Sequence, residues 1–234
     1  MKHLFIFLIS FISIATYAQE TTPEKRDLSG SFQSLNVSDG IEVILTQGDD
    51  ETLTISAADE KYLERFKSEV EDGTLKLYYD SKGINWLGSE KRKLKAFLTF
   101  KTLEKLNISS GASVTTKNTI AVKDLDCSVT SGAHFTGAVN IKELTVNQNS
   151  GSSVDISGTA GELKVETSSG AIFKGFDLIV DNCEAKATSG GGVRVNVNKE
   201  LSAKANSGGG IRYKGTPVIK DLSVSSGGQV KKAS

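Results

Sequence analysis

The stretch SSGASV at residues 109–114 returns, with variations, throughout the C-terminal half of this 234-residue chain. It becomes TSGAHF, NSGSSV, SSGAIF, TSGGGV, NSGGGI and SSGGQV, and the glycines of successive motifs lie 21, 19, 19, 20, 18 and 19 residues apart. Self-similarity at a fixed period of about twenty residues is typical of a solenoid. The seven glycines are Gly111, Gly132, Gly151, Gly170, Gly190, Gly208 and Gly227.

Apolar and polar residues alternate between these glycines. Leu144 and Val146 precede Gly151, and Leu163 and Val165 occupy the same places one repeat later. Such alternation indicates short strands with one buried face. Two strands and two turns per repeat would close one coil, and stacked coils pair equivalent strands in parallel, about 4.8 Å apart. The sequence therefore predicts an all-β fold: a right-handed parallel β-helix, or solenoid, with about seven Ser-Gly-cornered coils over 109–234.

The Ser-Gly pairs suit the corners of these coils. The chain must reverse at the same place in every coil, and glycine reaches φ > 0 there without steric cost. The serine hydroxyl can bond local backbone or the next coil. SGGG at 189–192 has the composition of a phosphate-binding loop, but neither Lys-Ser/Thr nor a helix pattern follows it. We therefore predict that the seven glycines are structural corner residues.

Residues 30–108 form an irregular, strand-rich N-terminal part without a clean repeat. The segment DEKYLERFKSEV at 59–70 has apolar residues at helical spacing, with Asp59 as the N-cap and Asp72-Gly73 as the end. We predict one short helix there, covering the N-terminal end of the solenoid. A cover is needed because an open terminal coil exposes apolar side chains and unpaired backbone.

No comparable cover follows the last motif. The chain continues for seven residues beyond Gly227, and these include Lys231 and Lys232. The two lysines would blunt the open edge by charge. Alternatively, the last coil packs on another subunit.

The first 18 residues, MKHLFIFLISFISIATYA, are typical of a signal peptide. A short basic start precedes an apolar run, and small residues at 16 and 18 favour cleavage after Ala18. The apolar run is too short to span a bilayer comfortably. We expect an exported protein of the periplasm, the outer surface or the extracellular space, without a membrane span after cleavage. Residues 19–29 would form a flexible N-terminal segment.

The charge of the chain is balanced, with 28 basic and 28 acidic residues. A nucleic-acid-binding surface requires a clear basic excess. We therefore expect no nucleic acid among the partners of this protein.

The two cysteines, Cys127 and Cys183, fall at positions that face the interior of the predicted coils. Export makes a disulfide chemically feasible. However, the two residues lie three coils apart, or about 14 Å along the axis, whereas bridging needs Cα atoms within about 7 Å. We predict two free, buried thiols.

Exported β-helices often act on polysaccharides, so catalysis is an alternative. Lyases need clustered carboxylates for Ca²⁺ with a basic residue, and hydrolases need paired carboxylates. The three acidic candidates do not share one position of the repeat, and the alternation puts most of the candidates on a solvated face. We therefore predict no catalytic, cofactor-binding or metal-binding residues and no cofactor, with a carbohydrate-active enzyme as the alternative. The candidates are Asp155, Glu166 and Asp177, with Lys164, Lys174, Arg194 and Arg212.

Two further residues are candidates for single-residue sites. His134 is the only histidine after the predicted cleavage site, and no nucleotide- or coenzyme-binding motif accompanies it; we expect a surface residue near a corner. Trp86, in GINWLG at 83–88, could stack on a sugar or anchor a partner as a binding-loop residue. The alternative is a plug at the junction of the irregular and regular parts.

The N-terminal pattern F…L.V…I.V.L.QG, the DGTL.L segment and the Ser-Gly repeats behind a signal peptide together resemble a known family over residues 27–234. It is the family called putative auto-transporter adhesin, head GIN domain, a domain of unknown function common in Bacteroidetes. The resemblance implies a right-handed β-helix, shaped like pectin lyases but without their catalytic residues. It further implies a cell-envelope or surface role in adhesion, with a protein or glycan partner or self-association, for example as a homotrimer.

Overall fold

The computed structural model describes residues 22–82 and 92–233, and it confirms an all-β solenoid with one short helix. All strands join one hydrogen-bonded sheet. In chain order the elements are β1 (Glu24–Arg26), β2 (Ser34–Val37), β3 (Glu42–Gln47), β4 (Thr52–Ser56), α1 (Glu60–Leu63), β5 (Phe66–Glu71), β6 (Thr74–Tyr79), β7 (Lys95–Phe100), β8 (Lys105–Ile108), β9 (Ser113–Thr116), β10 (Ile120–Val129), β11 (His134–Gln148), β12 (Ser153–Thr167), β13 (Ile172–Ala187), β14 (Gly192–Ala205), β15 (Gly210–Gly215), β16 (Val218–Val224) and β17 (Gln229–Lys232).

The repeats stack in parallel register, so equivalent residues form columns along the axis. Leu144 lies opposite Leu163, and Leu163 lies opposite Cys183 in the following coil. The interior thus consists mainly of apolar columns in which each side chain packs on its equivalents above and below, although a few polar residues such as Gln148 and Thr167 are also buried. One such column contains Val114, Phe135, Val154, Phe173, Val193, Ile211 and Val230.

Each regular coil has three straight runs, because the alternation of buried and exposed residues breaks twice between corners. In β12 the breaks fall at 157–158 and at 161–162. We call the runs the first, second and third faces, counted from the Ser-Gly corner. In this coil they comprise residues 153–156, 158–160 and 162–167. The first bend requires glycine, because Gly158 has φ +107° and a Cβ there would lie 2.1 Å from the Val139 carbonyl oxygen.

The Ser-Gly pairs form a column of type I′ turns. All seven serines have φ of 47–53° and all seven glycines φ of 70–75°, and positive φ at both central residues defines this turn. The turn around Gly132 is closed by the Ala133 N–H, which donates to the Thr130 carbonyl at 3.1 Å. The Gly132 N–H in turn donates to the Ser150 carbonyl of the next coil at 3.0 Å. The corners are therefore hydrogen-bonded to one another along the axis.

The N-terminal part contributes another turn to this column. Asp39 and Gly40 have φ of 60° and 72°, and the Gly40 N–H donates to the Ser110 carbonyl at 3.0 Å. The coil formed by β2 and β3 lies between that of β6 and β7 on one side and that of β8 and β9 on the other. The axial order of the coils consequently departs from the chain order in this part.

The N-terminal end of the solenoid is covered by strands that reverse direction. β4 pairs antiparallel with β7, and β5 pairs antiparallel with β6. The loop and helix between β4 and β5 bury Leu63, which is 7% exposed, and Phe66, which is fully buried.

The predicted helix at 59–70 is wrong in its second half. Asp59 is the N-cap, accepting from the Lys61 N–H at 3.0 Å, but α1 ends at Leu63 and β5 follows. The reason is the turn that sequence analysis interpreted as a helix end. Asp72 and Gly73 have φ of 48° and 69°, which is the type I′ geometry of a two-residue hairpin. Pairing with β6 then holds the preceding residues as a strand.

Within residues 22–82 and 92–233, no element covers the C-terminal end of the solenoid. Every residue of β16 is exposed, including Val218 at 62% and Leu222 at 55%. β16 pairs only with β14, and β17 only with β15, among the described strands. The two ends of the molecule therefore differ fundamentally in how the core is closed.

Both cysteines are free and buried, which confirms their prediction. Cys127 lies between Leu106 and Val146 in one column, whereas Cys183 belongs to the column of Leu163. Burial raises the pKa of both thiols, that of Cys183 to about 12. They behave as apolar core residues.

Candidate functional site

The first face carries a basic column. The fourth residue after each Ser-Gly glycine points outward, and parallel register places these residues directly above one another. Four consecutive coils supply a cation at this position, all of them exposed. We call the set Lys174, Arg194, Arg212 and Lys231 the basic column.

The charges of the basic column are largely uncompensated. Lys174 Nζ lies 3.7 Å from Asp155 Oδ2 of the preceding coil. The other three cations have no ion pair within residues 22–82 and 92–233. Like charges directly opposite each other on neighbouring strands are destabilising. An anionic ligand that lies along the column would reduce this repulsion.

A shallow groove of about 340 Å³ runs beside the basic column, next to the corner turns. Its floor contains Gly192 and Gly210, which occupy the outward position two residues before Arg194 and Arg212. A Cβ at Gly210 would meet nothing within 4 Å. A larger residue would therefore fit at position 210, but glycine leaves the backbone exposed there. At one end of the groove Ile172, 40% exposed, supplies an apolar surface.

The groove combines a cationic rim with an apolar and backbone floor. Arginine presents a planar fork of donors that fits carboxylate, sulfate and phosphate oxygens in two-point contacts. Exposed backbone and an aliphatic side chain can contact the less polar face of a ligand. The arrangement is suited to an extended anionic molecule lying along the solenoid axis, because the cations recur at about 4.8 Å per coil.

The carboxylates considered for catalysis do not converge. Asp155 lies on the first face, whereas Glu166 lies on the third, with its carboxylate 3.3 Å from Lys186 Nζ and 4.0 Å from Lys164 Nζ. Asp177 is exposed after the first bend of its coil. Asp155 and Glu166 thus pair with lysines on a solvated surface rather than with another carboxylate. Across residues 22–82 and 92–233, no group of three or more His, Cys, Asp and Glu could hold a metal ion.

Of the two single-residue candidates, His134 and Trp86, the structure describes only the first. His134 is exposed on the first face, opposite Ser113 and Ser153 of the adjacent coils. Trp86 and the rest of GINWLG lie outside the described residues, so the structure tests neither the binding-loop nor the plug interpretation.

Sequence analysis named Lys174, Arg194 and Arg212 as candidates for catalysis and Lys231 as a charge at the open edge, but it did not place the four in one column. The signal that unites them is the constant offset of four residues from the corner glycine: 170 to 174, 190 to 194, 208 to 212 and 227 to 231. Aligning the repeats on their glycines makes the column visible. The glycine floor, two residues after the same glycines, follows from the same alignment.

The comparisons with known proteins agree with this architecture. A family model described as "Putative auto-transporter adhesin, head GIN domain" matches residues 31–217. The chain belongs to this family. The resemblance inferred from the sequence is thereby confirmed. A search of the curated proteins finds no match.

Several solved structures share the fold of this chain over nearly its whole length. A putative adhesin from Bacteroides fragilis has a TM-score of 0.84 at 20% identity, covering 92% of this chain and 97% of that one. A putative adhesin from Parabacteroides distasonis has a TM-score of 0.72 at 20% identity, with 92% and 97% covered. A putative lipid binding protein from the same species has a TM-score of 0.63 at 20% identity, with 91% and 97% covered.

The family and two of these structural neighbours carry the name putative adhesin. Over the part of the chain that the structure describes, no helix is long and apolar enough to cross a membrane.

Proposed function

We propose that this protein is an exported, non-catalytic adhesin-like module that binds an acidic polysaccharide of a cell surface along the basic column. The observation that carries the proposal is the stack of Lys174, Arg194, Arg212 and Lys231 beside the glycine-floored groove. The family name, the adhesin-named structural neighbours and the signal-peptide pattern support the role and the exported location.

The geometry of the basic column supports an acidic polysaccharide as the ligand. An acidic polysaccharide carries carboxylates or sulfates at regular intervals, and a solenoid face presents cations at regular intervals along a straight line. Each exposed ion pair contributes about 0.2–1 kcal/mol, so one polymer segment binds weakly. Many modules on one surface, or several segments of one polymer, would raise the avidity without any new contact.

The test compares immobilised polygalacturonate and heparin, as acidic probes, with neutral dextran. We expect binding to the acidic polymers alone, weakening steeply as salt is raised because screening acts on exposed charges. Arg194→Glu combined with Arg212→Glu should abolish it. The matched control is Lys164→Glu with Lys186→Glu, which changes the net charge equally but on the third face. Equal loss in both double variants would refute a site on the first face.

A carbohydrate-active enzyme is the alternative from sequence analysis. It is tested on the same polymers by measuring new reducing ends and unsaturated products over time, with and without Ca²⁺. We expect no turnover. Sustained turnover that disappears in Asp155→Asn or Glu166→Gln would replace the binding proposal with a catalytic one.

A further inference from the structure

At the C-terminal end of the solenoid, the apolar columns of the interior end in exposed side chains. Three columns of the third face continue into β16: Leu201 to Ile219, Ala203 to Leu222, and Ala205 to Val224. Their first members are buried, whereas Ile219, Leu222 and Val224 are 40%, 55% and 49% exposed. The free edge of β16 also presents unpaired backbone groups, because its described partner is β14 alone.

The opposite end of the solenoid cannot cover this surface. Its apolar residues are already enclosed by β4, α1 and β5, with Leu53, Ile55 and Phe66 fully buried. Head-to-tail stacking would therefore press exposed apolar side chains against a closed cap. Among the described residues, Phe97, Ile172 and Ile179 are exposed on the sides of the solenoid, and all other exposed large apolar residues lie in β16. The matching surface is therefore the C-terminal end of a second copy.

The sequence of β16, VIKDLSV, is complementary to itself across a two-fold axis. With the axis between Lys220 and Asp221, antiparallel pairing sets Lys220 opposite Asp221 of the second copy, twice, and Ile219 opposite Leu222, twice. Opposite residues in an antiparallel pair point to the same side. A register shift at Lys220 puts both Ile219 and Leu222 on the interior side, although they are three residues apart.

We infer that the protein forms a two-fold dimer through its C-terminal end, with β16 of the two copies paired antiparallel. The pairing continues the hydrogen-bonded sheet from one solenoid into the other and covers the exposed ends of the apolar columns. A two-fold contact is closed, so assembly stops at the dimer.

Charges beside the dimer axis alternate in sign. Within one copy Lys220 Nζ lies 3.0 Å from Glu200 Oε1, and Lys204 Nζ lies 3.2 Å from Asp221 Oδ2. In the dimer, each pair of one copy meets a pair of the other. The result is two rows, each running from Glu200 and Lys220 of one copy to Asp221 and Lys204 of the second copy. Alternating rows are favourable, whereas any shift that puts identical residues opposite each other creates like-charge contacts.

The remaining lysines of this end do not oppose the contact. A two-fold axis through the third face maps that face onto itself and exchanges the first face with the second. Lys231 and Lys232 lie on the first face, in β17. Those of one copy therefore do not face those of the other, and the basic column stays open to ligand in the dimer.

The experiment is light scattering and sedimentation of the purified protein across low to high micromolar concentration. We expect a dimer. Lys220→Glu alone and Asp221→Lys alone should each weaken it by about 100-fold or more, because each puts like charges opposite one another. Mixing the two variants should restore a heterodimer, since the new carboxylate then faces the new ammonium group and Lys220 still faces Asp221. Each variant's effects on its own chain are unchanged by mixing.

A second pair of variants tests the apolar part. Leu222→Asn should weaken the dimer, whereas Ile179→Asn, at a position 47% exposed on the second face, should leave it intact. Both positions are surface positions, so circular dichroism should show unchanged folding. A monomer at every concentration, a trimer or longer stack, or failure of the mixed variants to associate would each overturn the two-fold contact.

Discussion

The two ends of this solenoid differ in how the apolar interior is covered. At the N-terminal end β4 and β5 run antiparallel to the coil they cover, and Phe66 is fully buried among them. At the C-terminal end β16 continues the parallel stacking and leaves Leu222 more than half exposed. Antiparallel strands interrupt the repeat, so another coil cannot be added beyond them. A parallel terminal coil is instead an edge that must be protected in some other way.

The largest expected difference between the ends is in core energetics. Phe66→Ala should lower the free energy of unfolding by about 3–5 kcal/mol, the usual range for a buried phenylalanine. Leu222→Ala should lower it by less than about 1 kcal/mol at concentrations where the protein is monomeric, since that side chain already contacts water. Urea denaturation measures both. Equal losses would mean that the C-terminal end is covered within the monomer.

The thiols report how far opening spreads from each end. Cys183 lies two coils from β16, whereas Cys127 lies five coils from it. If the solenoid opens from its uncovered end, alkylation in mild denaturant should modify Cys183 at least about tenfold faster, because opening free energies differ between local units. Mass spectrometry of peptides distinguishes the sites. Faster labelling of Cys127 would indicate that the solenoid opens first at its covered N-terminal end.

The same thiols give the stability a pH dependence. Burial raises the pKa of Cys183 to about 12 and raises that of Cys127 as well. A raised pKa in the folded state stabilises folding fully below the unfolded pKa of about 8.5. The free energy of unfolding should therefore fall as pH rises above that value. Replacing both cysteines with alanine should flatten this alkaline decline.

The smallest effect concerns the helix of the cap. Asp59 accepts a hydrogen bond from the Lys61 N–H as the N-cap of α1, and losing an N-cap costs about 1 kcal/mol. Asp59→Ala should lower the stability by that amount, while Asp59→Ser, which retains a capping oxygen, should be close to neutral. Thermal unfolding compares the two variants. An effect of Asp59→Ser as large as that of Asp59→Ala would argue against capping as its cause.

Prediction from sequence succeeded where a pattern repeats and failed where it occurs once. Seven Ser-Gly motifs gave the period, and the period placed Cys127 and Cys183 in the core. The segment at 59–70 offered two compatible patterns: Leu63, Phe66 and Val70 fit a helix, yet Phe66, Ser68 and Val70 also alternate as in a strand. The Asp72-Gly73 turn favours the strand, because it pairs this segment with β6. That pairing gives hydrogen-bond partners to backbone groups that would have none at the end of a frayed helix.

The candidate site was only half visible from the sequence. Lys174, Arg194 and Arg212 were recognised as candidates for chemistry, but their alignment into one column depends on parallel register between coils. Local sequence does not fix that register, because a slip of one residue would turn each side chain to the opposite side. The inward columns fix it by burying Phe173, Val193 and Ile211 on one another.

The sequence alone determined the solenoid, since a repeat that cannot bury its apolar side by itself must stack on its neighbours. It also determined the corner turns, because Ser-Gly tolerates positive φ where most pairs do not. The tertiary structure decided the rest. It placed the β6–β7 coil before the β2–β3 coil along the axis, closed one end with reversed strands, and aligned four cations that are about twenty residues apart in the chain. These features arise from contacts between distant segments, which no local pattern encodes.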